Sequence, residues 1–237
     1  MKIEVFVRHC HFSEVSSHKE RFTSFSRKRC YDNFLNTLNP HLVNVTYLLD
    51  TFYPASEDHF VKSQTQYPVI EIQEGTESGS FLKLIDYVKN LDLTDETILY
   101  FLEDDYLHRP GWAELLLEGF ELPQADYITL YDHQDKYFLP MYKGLTSTIY
   151  HTSTCHWRTT PSTTNTYAMR WKTLKKDYKY HQKYSLGCKI TRDHEKFCKL
   201  KKKGAVLLSS LPGWSTHAEP KYASPCFEWE PMLRSSQ

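Results

Sequence analysis

Three consecutive carboxylates, Glu103-Asp104-Asp105, follow the uninterrupted apolar run Ile98-Leu99-Tyr100-Phe101-Leu102. A divalent cation such as Mg²⁺ or Mn²⁺ is a hard acid that takes carboxylate, imidazole and phosphate oxygens. It keeps only one or two protein carboxylates when it also grips a diphosphate. Where a strand runs into a turn, residues two apart point the same way, so Glu103 and Asp105 can address one ion while Asp104 faces elsewhere. An acidic triplet by itself is ordinary solvated surface; the apolar strand in front of it is what makes this one a candidate site. Other charged residues share that placement. Arg8-His9, Asp50, Glu74 and Asp132-His133 each lie just past a stretch that reads as a strand.

The elements that must position these groups alternate between strand and helix over the first two thirds of the chain, the pattern of an α/β protein with a mostly parallel sheet. Strands are expected at Ile3–Val7, Val43–Leu49, Val69–Ile72, Ile98–Leu102, Tyr127–Tyr131 and Val206–Leu208. The fourth is apolar at every position, as a central strand covered on both faces must be. Between them, Tyr31, Phe34, Leu35 and Leu38 form one helical stripe, and Phe81, Leu84, Ile85 and Val88 another. Pro110 suits a first helical turn ahead of Trp112 and Leu115-Leu116-Leu117. The Glu74 to Ser80 turn opens the second helix and offers backbone N–H groups to an anion. Residues 146–167 are rich in Thr and Ser and read as hairpins or covering loops. A last helix carries Phe197 and Leu200 and closes on Lys201-Lys202-Lys203-Gly204, cations at its negative end and a glycine stop. In a parallel sheet the carboxyl ends of the strands share one edge, and ligands of open α/β sheets bind outside it. Charges scattered in sequence thereby become one cleft.

Composition narrows the partners. With 29 Lys+Arg against 29 Asp+Glu in 237 residues, no net positive field exists to condense on nucleic acid or anionic lipid. An apolar content of 40% and aromatic content of 15% supply a real core and argue against disorder. No apolar run approaches the ~18 residues of a membrane span, and the charges at Lys2 and Glu4 come too early for a secretory leader. The expectation is a cytoplasmic protein of one domain, 1–237, with one half running to residue 135 and a second from 136. The six scattered cysteines contain no Cys-x-x-Cys and read as reduced thiols.

The segment Tyr100 to Tyr106 with Pro110-Gly111-Trp112 resembles the metal-binding segment of GT-A-fold glycosyltransferases of the family-2 kind, whose Asp-x-Asp motif ends a central strand. Gly75 to Leu84 is similar to the loop and helix that flank the sugar nucleotide in that fold. Asp193-His194-Glu195 resembles its acceptor-side acidic motif, and Ser215-Thr216-His217 its late metal-ligand segment. One departure is that Glu103 stands where the pattern has Asp, while Asp105 keeps its place.

The resemblance implies a GT-A, Rossmann-like sheet with a smaller acceptor-side lobe. It implies Mn²⁺ or Mg²⁺ held by Asp105, His217 and Glu103, and a nucleoside-diphosphate sugar, UDP-linked, bound by Arg8, His9, Asp50, Glu74, Gly79 and Asp104. Asp193 becomes the base of an inverting reaction, or orients the acceptor of a retaining one. Helix capping is its structural alternative. A glycan or glycoconjugate acceptor is expected against Asp132, His133, Trp157 and Trp214, the tryptophans stacking on sugar C–H faces or simply packing in the core. Two rivals stand beside this reading: a sugar nucleotidyltransferase, and a non-catalytic nucleotide-sugar or carbohydrate-binding module.

Overall fold

A computed structural model describes residues 2–53 and 58–234. The chain opens with β1 (Ile3–Cys10), α1 (Arg27–Thr37), β2 (Val43–Asp50), the short α2 (Phe60–Ser63) and β3 (Val69–Ile72). Next come α3 (Glu77–Lys89), β4 (Ile98–Glu103), β5 (Tyr106–His108), α4 (Trp112–Gly119), β6 (Tyr127–Thr129) and α5 (Asp135–Phe138). β7 (Ile149–His151), β8 (His156–Thr159), β9 (Tyr167–Arg170) and α6 (Trp171–Lys183) follow. The chain then runs through α7 (Asp193–Lys201), β10 (Leu207–Leu211), β11 (Ser215–His217) and α8 (Glu230–Arg234).

Nine of these strands make one sheet in the order β3-β2-β1-β4-β9-β6-β10-β8-β7. β3, β2, β1 and β4 are mutually parallel, as are β6 and β10. β9 lies between β4 and β6, antiparallel to both, so the two parallel groups point the same way. The hairpin of β7 and β8 closes one side, antiparallel to β10. β5 and β11 pair separately, joining the turn after β4 to the late segment that carries His217. The molecule is therefore an α/β protein with a mostly parallel central sheet flanked by helices.

Strand alternation divides the core into two layers. Ile3, Val5 and Val7 of β1, with Ile98, Tyr100 and Leu102 of β4, face α1 and α4 through Phe34, Trp112 and Leu116. Phe6, Leu99 and Phe101 face the opposite way, onto Phe81, Leu84 and Ile85 of α3, Leu174 of α6 and Phe197 of α7. β4 is thus covered on both sides, which is why its sequence shows no alternation.

Several boundaries differ from the sequence reading. β1 continues to Cys10, so Arg8 and His9 lie within the strand instead of beyond it. β6 stops at Thr129, because Leu130 and Tyr131 leave the sheet to meet the Trp214–Ser215 segment. Pro110 precedes α4 and is not part of it; Gly111, with φ of 84°, makes the left-handed entry.

Candidate active site

The parallel register sets Arg8 of β1 opposite Glu103 of β4, and Cys10 opposite Asp50 of β2. A cavity of about 570 Å³ opens over this carboxyl edge. Arg8, His9, Asp50 and Glu74 line it, together with Glu103, Asp104 and Asp105. His133 reaches it from the segment after β6, and Asp193 and His217 from the second half of the chain.

Each carboxylate of the acidic triplet meets its own arginine. Glu103 shares the α3 side of the sheet with Arg8, whose Nη2 is 3.3 Å from its Oε1, while Arg8 Nη1 donates to Glu77 Oε1 at 3.1 Å. Asp104 turns to the other side and accepts from Arg27 Nε at 2.9 Å, at the first turn of α1, and from Cys10 N–H at 3.3 Å. Asp105 Oδ2 accepts from His217 Nε2 at 2.8 Å and from Arg21 Nη2 at 2.7 Å. Glu219 holds the other imidazole nitrogen of His217 at 3.1 Å. The β5–β11 pairing brings His217 level with Tyr106, one residue past Asp105, and so creates this contact across 112 positions of sequence.

These contacts sort the acids. Burial opposes the charge of Asp105, but His217 and Arg21 outweigh it and hold the carboxyl well below the usual aspartate range. His217 is raised in turn: burial lowers it, and Asp105 more than compensates. Burial pushes Glu103 up to about 7 against the pull of Arg8, with Glu77 nearby adding to the rise. Glu77 stays low because, against burial, it has Arg8, the Thr191 N–H and Asn165. Asp193 is lifted to about 6 by burial, opposed by Lys196. It is the first residue of α7, after the cap position Arg192, and its Oδ1 accepts from Lys196 Nζ at 2.8 Å. The capping role is therefore not the one it plays.

No protein-family model matches the chain, and no curated protein matches it. Solved structures do. Residues 1–349 of S. aureus TarS superimpose with a TM-score of 0.50 at 10% identity, over 88% of this chain and 58% of that one. CMP:2-keto-3-deoxy-manno-octonic acid synthetase in complex with CTP gives a TM-score of 0.51 at 15% identity, over 93% and 94%. The fold is GT-A-like. The chain spans under two thirds of the TarS fragment and nearly all of the synthetase.

Within the GT-A-like frame, Gly79, Asp132, Trp157 and Trp214 lie off the cavity wall. The Gly79 N–H is taken by the Thr76 cap at 3.0 Å, and those of Ser78 and Ser80 bond Lys189 and Thr76 carbonyls, so the start of α3 is not an open anion cradle. Asp132 is buried against Arg158 at 2.5 Å and the Tyr137 hydroxyl at 2.7 Å. Trp157 is a fully buried core residue whose indole bonds Thr152. Trp214 packs under Arg109, 4.4 Å from its ring. Asp50 is at the cavity, yet its carboxylate already accepts from the N–H groups of Phe52, Glu74 and Gly75, tying the ends of β2 and β3 together.

Among the described residues no three His, Cys, Asp or Glu side chains converge as a ready-made metal cage, and Glu103 is turned to Arg8. The donor chemistry of Asp105 and His217 nevertheless suits a hard divalent cation, with Glu219 as the outer partner of the imidazole. A cation of the chain itself, Arg21, is already held at that point. Sequence reading passed over Arg21, Arg27, Lys19, Glu77, Lys196 and Glu219. None follows a strand directly, and the only signal for the first three was positive charge in an aperiodic stretch.

Proposed function

We propose that the chain is a glycosyltransferase that moves a sugar from a nucleoside-diphosphate donor, UDP-linked, to a hydroxyl of a glycan or glycoconjugate. The carrying observation is Asp193: a carboxyl on the cavity wall, oriented by a buried lysine and lifted to about 6, where a general base is effective near neutral pH. The acceptor hydroxyl gives its proton to Asp193 as its oxygen bonds the anomeric carbon, and the bond from that carbon to the diphosphate breaks. Asp105 and His217 would hold Mn²⁺ or Mg²⁺, which when bound would neutralise the charge of the leaving diphosphate as a Lewis acid. Arg8 keeps Glu77 charged and in place beneath the donor side.

The two structural neighbours divide between TarS, a glycosyltransferase, and a CTP-bound synthetase, so fold alone does not choose. One feature favours sugar transfer. Nucleotidyl transfer commonly uses a glycine-rich phosphate loop, and the 11–26 segment after β1 contains no glycine.

The products separate the readings. With UDP-sugars and a glycan acceptor the account expects UDP release, and Asp193→Asn lowers it 10²–10⁴-fold while donor binding stays. Pyrophosphate release from a nucleoside triphosphate and a sugar phosphate or sugar acid would establish the nucleotidyltransferase instead. Donor binding without either product would leave a binding module.

A further inference from the structure

Arg21 does not line the cavity itself but lies directly behind Ser16 and Asp105, which do. Its Nη2 donates to Asp105 Oδ2 at 2.7 Å and to Ser16 Oγ at 2.6 Å, its Nη1 is 3.3 Å from His217 Nε2, and its guanidinium lies 4.6 Å from the Phe25 ring. Its Nε is buried with no hydrogen-bond partner among the described residues. Two further cations come from the same stretch of chain. Lys19 lines the cavity and pairs with Glu219 at 3.8 Å, and Arg27 lines it and pairs with Asp104. Arg21 and Arg27 are spent on carboxylates of the acidic edge, and Lys19 on Glu219, the partner of His217. A buried carboxylate left unpaired is costly, so in the unliganded protein the chain's own cations offset the edge charge.

A divalent cation held by Asp105 and His217 would take the place of Arg21, whose planar fork suits phosphate oxygens as alternative acceptors. We propose that Arg21 is an internal stand-in for the metal, released by metal binding to become, with Lys19 and Arg27, the diphosphate-binding group of the cavity. The inference rests on the nucleotide-sugar reading of the site and assigns the phosphate subsite to the 11–27 segment.

Removing Arg21 then has opposite effects on the two ligands, because it competes with one and binds the other. Mn²⁺ alone, counted by electron paramagnetic resonance, binds Arg21→Met about tenfold more tightly than the wild type, and inorganic pyrophosphate alone binds about tenfold more weakly, each ~1.4 kcal/mol. Ser16→Ala, which removes only the second anchor of the guanidinium, moves Mn²⁺ affinity in the same direction by less. It serves as the readout should Arg21→Met fail to fold by circular dichroism. Unchanged or weaker Mn²⁺ binding in both folded variants overturns the proposal, as does pyrophosphate affinity unaffected by Arg21→Met. Neither probe requires sugar transfer, so absent UDP release with these shifts intact would sink the glycosyltransferase reading alone.

Discussion

Asp193 and Lys196 show how a single contact sets chemistry. Lys196 is fully buried, its ammonium shared among Asp193, Asn165 and the Tyr167 hydroxyl, and it lies within 5.2 Å of the Phe81, Tyr167 and Phe197 rings. Burial raises Asp193 and the lysine lowers it. If Asp193 is the base of the proposed reaction it works ionised, so kcat/KM is expected to climb as pH rises through about 6. Lys196→Met removes the lowering influence, and the acid limb of the profile moves to higher pH. A limb that stays in place or moves down would show that Lys196 does not tune this carboxyl. Nothing in the sequence marked Lys196, because a lysine three residues into a helix is normally solvated. Only the sheet face beneath it, with Tyr167 and Phe81, makes it a buried partner.

At the scale of elements, the strand-end rule brought several of its residues to one cavity because parallel register carries it: Arg8 pairs level with Glu103, and Asp50 with Cys10 two residues further on, whatever their side chains do. The rule fails where position is set by other means. α6 went unread since its buried face includes Asp177 and His181, which the Tyr127 and Tyr167 hydroxyls satisfy; polar residues on the inner face disguise a helical stripe. The 11–26 segment has no period, so Arg21 was invisible until Asp105, the acid it pairs with, was placed. For Trp157 the sequence left acceptor stacking and core packing both open, and the choice of core depends on Gly119 leaving room for its ring: a Cβ there would come within 2.6 Å of it. Trp157→Ala therefore costs stability, about 3–5 kcal/mol in denaturant unfolding. The more conservative Trp157→Phe leaves acceptor KM unchanged, and a KM raised tenfold in a variant of near-native stability would return this residue to the acceptor side.

Over the whole molecule, one continuous sheet passes through both halves of the chain, since β9 lies between β4 and β6 and β10 follows β6. The cavity is accordingly built from both: the acidic edge, Arg8, Arg27 and His133 from one, Asp193 and His217 from the other. No helix among the described residues is long and apolar enough to cross a membrane. In a chain whose 29 basic and 29 acidic residues cancel, Arg8, Lys19 and Arg27 concentrate positive charge at the cavity, where the proposed diphosphate would need it. The measurement that bears most directly on this account is the thermal stability of the wild type and Asp105→Ala with UDP-sugars, with and without Mn²⁺. A donor at 100 times its dissociation constant adds ~2.7 kcal/mol. The account predicts that this gain appears in the wild type only with Mn²⁺ and is lost in a folded Asp105→Ala. Stabilisation that ignores the metal, or that survives intact in Asp105→Ala, would contradict it.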